Sequence, residues 1–389
     1  MNRLLTAILM GGVALSCSSN SNTSMTSYQN DKKFLEEYIE LIELRDGDKM
    51  ILLTPTYQGR VLTSSAEGPK GDSFGWINRN LIESGEILPH ANNWGGEDRM
   101  WLGPEGGQFS LYFPSVESFD YEQWQVPSII DTDKWLTLSS SDTKATFGTT
   151  TTFANASGTK FNCRLERDIE LIDDSQIGAI IGTFIPDDCA SVGFRSKSRV
   201  TNIGTNEWSK DKGALSIWIL GQFITSPDNF VIIPTQGKNQ IIDDYFGAIP
   251  ADRLRHEGDY HYFKADGKMR GKLGVLCDSV LPMAFALDRV NSVLTIISFS
   301  FDEQATDYVN SRWALQDDPF NGDVLNAYND GPLEDGTIMG GFYEIESSSQ
   351  ALFLKSGETF EHSHTTIHIK GEIQQLEELL ADVKSILLS

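Results

Sequence analysis

Two glutamates set two residues apart offer the first piece of chemistry, in Gly341-Phe342-Tyr343-Glu344-Ile345-Glu346. Side chains alternate faces along a strand, so Glu344 and Glu346 share one face and Tyr343 and Ile345 the other. A carboxylate whose pKa is shifted by burial can act as general base or acid. In an acidic chain the same spacing also describes an ordinary solvated strand face. The densest unusual stretch runs from Gly75 to Phe113. It carries Gly75-Trp76-Ile77-Asn78, then Trp94-Gly95-Gly96-Glu97-Asp98-Arg99-Met100-Trp101, then Gly103-Pro104-Glu105-Gly106-Gly107. Read as a loop, its tryptophans can stack on a sugar ring while Arg and carboxylates pair with hydroxyls. The candidate ligand residues are Trp76, Asn78, Glu97, Asp98, Arg99, Trp101 and Glu105. The competing reading is a structural loop in which Arg99 pairs with Asp98 or Glu97.

Half of the six histidines fall in His362-Ser363-His364-Thr365-Thr366-Ile367-His368. Residues 362, 364, 366 and 368 share a strand face, with His362 and His364 about 7 Å apart along it. That separation suits a shared metal, although zinc needs further ligands. A solvated or sugar-facing row of histidines is the plainer expectation. His256 and His261 are proton donors in reach of neutral pH. Asp266 to Lys272 places three cations after an Asp-Gly turn, available to local carboxylates or to a sugar acid. No cofactor is expected; calcium or zinc is a secondary expectation. The chain has no Gly-x-Ser-x-Gly elbow, phosphate loop, dinucleotide fingerprint or His-Glu-x-x-His helix.

These residues must be held by strands. The chain has 389 residues, of which 40% are hydrophobic and 10% aromatic, enough to build a large core. Short apolar runs separated by turn signals predict strands at Met50–Pro55, Phe109–Phe113, Lys134–Ser139, Ala145–Phe153, Phe161–Leu171, Gly193–Asn202, Ala214–Phe223, Asn229–Pro234, Gly274–Cys277, Ser292–Ser300, Gly341–Glu346 and Ala351–Leu354. Helical spacing predicts one helix over Asp31–Glu43 and an amphipathic one over residues 371–389. The expected fold is mainly β: one large antiparallel β-sandwich over residues 31–370, with a short helix at each end. The net charge of −24 excludes generic nucleic-acid binding, which needs a basic face.

Residues 1–16 read as an export signal, with Arg3 ahead of an apolar run that is shorter than the roughly 20 residues needed to span a bilayer. Cys17 follows Ala14-Leu15-Ser16, which resembles a bacterial lipoprotein signal with Cys17 as the lipidated residue. Residues 17–30 would be a polar tether. This implies a lipid-anchored protein of the bacterial envelope, on the outer membrane facing the periplasm. The remaining cysteines, Cys163, Cys189 and Cys277, match no zinc spacing and allow at most one disulfide.

Several stretches together resemble an uncharacterised bacterial lipoprotein family carrying a galactose-mutarotase-like (aldose 1-epimerase-like) domain. They are Gly59–Ser64, Ser73–Asn78, Gly95–Gln108, Asn326–Pro332 and Phe342–Ser348. Glu344 followed by Leu354-Lys355-Ser356-Gly357-Glu358 is similar to the late-strand glutamate and turn of aldose epimerases. The resemblance implies a galactose-mutarotase-like supersandwich with a sugar groove across one sheet, and Glu344 as general base. The family's general acid is a His on a central strand. The comparable stretch here, Ala214–Phe223, has none, and Trp218 or Gln222 stands in its place. Trp218 is therefore expected to bind the ligand, and His261, with His256 or His90 as alternatives, to supply the acid. The expected function is sugar processing, epimerase-like or other, or non-catalytic carbohydrate binding on the same fold.

Overall fold

The computed structural model describes residues 25–238, 240–333 and 336–388. The expected export signal and the expected lipidation site Cys17 lie outside the described residues. The chain is mainly β, in three antiparallel sheets. A ten-stranded sheet has the spatial order Leu254–Glu257, Tyr260–Lys264, Asn229–Pro234, Met283–Asp288, Val293–Phe299, Thr359–Lys370, Ala190–Asn202, Lys160–Ile172, Lys144–Ala154 and Leu136–Ser140. A five-stranded sheet has the order Gly271–Leu276, Asp323–Asn329, Phe342–Ser348, Ser216–Ile224 and Arg99–Gly103. Ile42–Asp46, Lys49–Thr54 and Arg60–Ser65 form a small third sheet.

The two large sheets face each other across an apolar core. Tyr343 and Ile345 from the five-stranded sheet pack with Phe223, Leu325 and Ala327, against Val231, Ile233, Ile297 and Phe299 of the ten-stranded sheet. The back of the ten-stranded sheet is covered by the C-terminal helix Ile373–Leu387. Its Leu376, Leu379, Leu380 and Val383 join Leu294, Ile296, Ile367 and Ile369. Full burial of each such side chain contributes about 1.5–3 kcal/mol, so the helix belongs to the domain and closes it.

Several predicted strands form within a few residues, and Asn229–Pro234 coincides. Four local expectations differ, the first being Ala351–Leu354, which forms no strand and makes only a single bridge, Leu352 to Leu215. The first helix is Tyr28–Glu36, so it begins inside the expected tether, and Ile42–Asp46 is a strand. Residues 109–113 form no strand, because the Ser110 hydroxyl accepts the backbone N–H groups of Tyr112 and Phe113 and holds a turn. Arg99–Gly103 is an edge strand of the five-stranded sheet and not a loop, paired with Ser216–Leu220.

Candidate functional site

The register of the five-stranded sheet settles which side chains share its outer face, the one turned away from the ten-stranded sheet. Glu344 is opposite Tyr328 and Gln222; Glu346 is opposite Asn326 and Leu220. Lys272 pairs with Tyr328, Arg99 with Leu220, and Trp101 with Trp218. Alternation then places Lys272, Tyr328, Glu344, Glu346, Gln222, Trp218, Arg99 and Trp101 on one face.

All but the half-buried Lys272 are buried, Glu344 being 6% and Glu346 1% exposed. Arg99 Nη2 donates to Glu344 Oε1 at 2.8 Å, and its guanidinium lies over the Trp101 ring at 4.6 Å. Lys272 Nζ donates to Glu346 at 3.0 and 3.2 Å. The indole N–H of Trp218 donates to Glu346 Oε2 at 2.9 Å. Two ion pairs therefore sit side by side, next to two tryptophans that meet edge to face at 5.6 Å.

Segments outside the sheet roof this face. Trp76 packs on Phe342 at 4.7 Å and stays partly exposed. Its position depends on Gly340, where a Cβ would come within 2.0 Å of the Trp76 ring. Tyr245 and Phe246 cover the other side. The Lys272 ammonium lies 6.0 Å from the Tyr245 ring, and the Arg270 guanidinium lies 3.8 Å from that of Phe246. Glu105, just beyond the Arg99–Gly103 strand, carries its carboxyl close to Lys272, Glu346 and the indoles of Trp313 and Trp124.

Crowding carboxylates into a dry face changes their acidity. Burial pushes the Glu105 carboxyl up to about 7, against the pull of Lys272. Burial also raises Glu344, with Arg99 opposing it and Glu346 adding repulsion. Burial works to lower the Lys272 ammonium, but Glu346 and Glu105 outweigh it and hold it raised. A carboxyl poised near neutrality can take or give a proton at physiological pH.

The remaining predicted residues fall elsewhere. Glu97 and Asp98 are not on this face; both are fully buried between the sheets. Glu97 accepts from Ser64 N at 2.5 Å and faces His368 Nε2 at 3.0 Å. Asp98 pairs with Arg167 and accepts from Ser196 Oγ at 2.6 Å. Asn78 caps the helix Arg79–Ser84 by accepting from Leu81 N at 3.2 Å. His261 is not brought to Glu344. It lies on the ten-stranded sheet, with Nδ1 2.6 Å from His256 Nδ1 and Nε2 2.9 Å from Thr235 Oγ1. Burial, then His256, lowers it to about 4, so it holds no proton to give near pH 7. His90 is held at 2.6 Å from the Trp124 carbonyl.

The histidine row is neither solvated nor sugar-facing. His362 and His364 point between the sheets and share the Ser347 hydroxyl at 2.9 and 2.8 Å. Among the described residues, no group of three or more His, Cys, Asp or Glu stands together as metal ligands. Cys163, Cys189 and Cys277 are free thiols.

Arg60 is a residue that sequence reading assigned no chemistry. It is 1% exposed, and its Nη1 donates to Gly95 O at 2.8 Å. Its guanidinium lies 5.7 and 5.9 Å from the Tyr57 and Trp94 rings. The only local signal was the following contrast: an arginine beginning a wholly apolar-flanked stretch, Gly59-Arg60-Val61-Leu62, with no acidic neighbour.

Residues 26–389 match the model of a family of unknown function, DUF6786, and the chain belongs to that family. No curated protein matches it. Among solved structures it is similar to a protein of Escherichia coli provisionally described as an aldose 1-epimerase, at 12% identity and a TM-score of 0.50, over 86% of this chain and 99% of that one. A galactose mutarotase-like protein of Lactobacillus casei gives 12% identity and 0.50, over 85% and 100%. A protein of Synechocystis gives 14% and 0.51, over 86% and 96%. At these identities the likeness shows the fold: a galactose-mutarotase-like β-sandwich.

Proposed function

Starting from membership of a family without an assigned activity, we propose that this chain binds a carbohydrate on the outer face of its five-stranded sheet. One observation carries the reading. Arg99–Glu344 and Lys272–Glu346 lie side by side on a sheet face, next to the Trp101–Trp218 pair, with Trp76 packed on Phe342 of the same sheet. Paired charges supply directed donors and acceptors for hydroxyls, and indoles supply apolar faces for a sugar ring's C–H surface. The names of the structural relatives agree with a sugar ligand. Lipidation at Cys17 would hold the protein at the bacterial envelope, on the outer membrane facing the periplasm.

A second reading, turnover, is favoured by the raised carboxyls. Glu344 would act as base and a protonated carboxyl such as Glu105 as acid, the proton passing to and from the sugar oxygens. His261 is poorly suited to that part, since it lies on the other sheet beside His256.

The test is thermal-shift screening of the full chain against mono- and oligosaccharides and sugar acids, with and without calcium or zinc. A ligand at 100 times its dissociation constant stabilises by about 2.7 kcal/mol. The expected result is a saturable shift that is lost in Glu344→Gln and in Arg99→Ala. A shift that survives both substitutions moves the site off this face; no shift with any sugar rejects the reading.

A further inference from the structure

We infer that the inner end of this site is built for an anionic sugar, either a uronate or a sulfate or phosphate ester, whose acid group lies among Arg60, Arg99, Trp101 and Asn93. The inference rests on the sugar reading and adds the ligand's charge.

Four buried N–H groups there lack an acceptor: Arg60 Nε, Arg99 Nε, Trp101 Nε1 and Asn93 Nδ2. They belong to neighbouring side chains. The Arg99 guanidinium lies over Trp101 at 4.6 Å, and the antiparallel Val61–Asp98 bridge sets Arg60 across from Arg99. Asn93 Oδ1 accepts from Gln222 Nε2 at 2.7 Å, and Gln222 stands opposite Glu344, the partner of Arg99. Among these described residues the unpartnered acceptor is Gln222 Oε1 alone. A buried donor left unmet keeps its full desolvation penalty. Four together mark a place where something rich in acceptors belongs.

The charge points the same way. Arg99 and Lys272 each have a glutamate, whereas Arg60 has no ion pair among the described residues. Burial, then the neighbouring Arg99 charge, lowers the Arg60 guanidinium to about 9. Asp131, whose charge opposes that fall, has its oxygens engaged by Asn92 N at 3.1 Å and Asn92 Nδ2 at 2.8 Å. Burial raises the Asp131 carboxyl, with the Asn92 hydrogen bonds opposing the rise. A neutral hydroxyl would satisfy one donor and bring one of its own. A carboxylate, sulfate or phosphate brings only acceptors, and its charge offsets the repulsion between Arg60 and Arg99. A single unpartnered guanidinium nitrogen is not distinctive, since Arg167 Nε is another. The distinction here is four donors on adjoining side chains beside a cation with no carboxylate.

Matched ligands test this on the full chain by calorimetry: galacturonate against galactose, glucuronate against glucose, galactose 6-sulfate, and glucose 6-phosphate, with acetate and sulfate as sugar-free anions. The expected result is that at least one acidic sugar binds tenfold or more tightly than its neutral partner and than acetate or sulfate. That preference should fall at least tenfold in Arg60→Gln. Arg60→Lys, which keeps the charge and loses the planar fork, should retain part of it, and it decides the matter if Arg60→Gln does not fold. Neutral sugars binding as tightly as the acids, or a preference untouched by both Arg60 variants, overturns the inference and leaves the sugar reading standing. Acetate or sulfate binding as tightly as the acidic sugars overturns both. No binding by any acid overturns the inference alone, since the neutral panel still judges the sugar reading.

Discussion

Two regions of this molecule bury charge, and they do so differently. Between the large sheets, Asp98 meets Arg167 and Ser196, and Glu97 meets Ser64 and His368. Each carboxylate there accepts from more than one donor contributed by a neighbouring sheet, so the charges tie sheet to sheet. On the outer face, Glu344 has one direct ion pair, Arg60 has none among the described residues, and several donors are unmet. Burying charge is expensive unless partners offset it. Between the sheets each charge meets an opposite charge or several donors, even though Arg167 Nε has no partner, and those residues are architecture. On the outer face, where buried charge is less fully matched and loops form a roof, the proposed ligand would be the remaining partner.

The largest effect should come from breaking the architectural region. Asp98→Ala leaves Arg167 buried without its carboxylate and is expected to cost about 3–5 kcal/mol in urea denaturation. Glu344→Gln should cost much less in the same measurement. Equal losses would erase the contrast between the two regions.

The regions should also titrate with opposite sign. Burial holds His362 down to about 3 and His364 to about 4, against an ordinary value of 6.5. Their contribution is present above about 6.5 and is lost as the pH falls through 4 toward 3. Glu105 is raised from 4.5 to about 7. Its contribution is present below 4.5 and is lost as the pH rises through 7. Glu105→Gln should therefore stabilise the protein at pH 8 by about 1–3 kcal/mol and do little at pH 4. Urea midpoints across pH 4–8 test both arms. A variant that destabilises at pH 8 would show that Glu105 is held ionised as an architectural partner.

The smallest effect belongs to Asn78, which sequence reading placed among the ligand residues. As a helix N-cap, Asn78→Ala is expected to cost about 1 kcal/mol of stability and to leave sugar affinity unchanged. Weakened sugar binding at full stability would return Asn78 to the site.

Strand periodicity made some of this legible before any coordinates. The sharing of one face by Glu344 and Glu346 followed from a period of two, as did that of His362, His364 and His368. The mainly β class followed from short apolar runs between turn residues, and the closing helix from its apolar stripe. Local sequence misread Arg99–Gly103 as a loop, because its tryptophan and arginine, set between the paired glycines Gly95-Gly96 and Gly106-Gly107, look like a binding turn. As an edge strand, it presents Arg99 and Trp101 on the outer face while Asp98, one residue earlier, turns inward.

Alternation states which residues share a face but not where that face looks. Both sheets carry polar residues on buried faces, so polarity could not separate inside from outside. Only the packing of one sheet on the other sent the histidines to the interior and left Glu344 and Glu346 on the outer side. The pairing of Glu344 with Arg99 joins residues 245 positions apart, and no local pattern encodes such a contact. Composition, strand period and the closing helix were determined by the sequence alone. Which buried charges are matched and which are left without a partner was decided by tertiary structure, since burial and partnership depend on the elements that pack around each group.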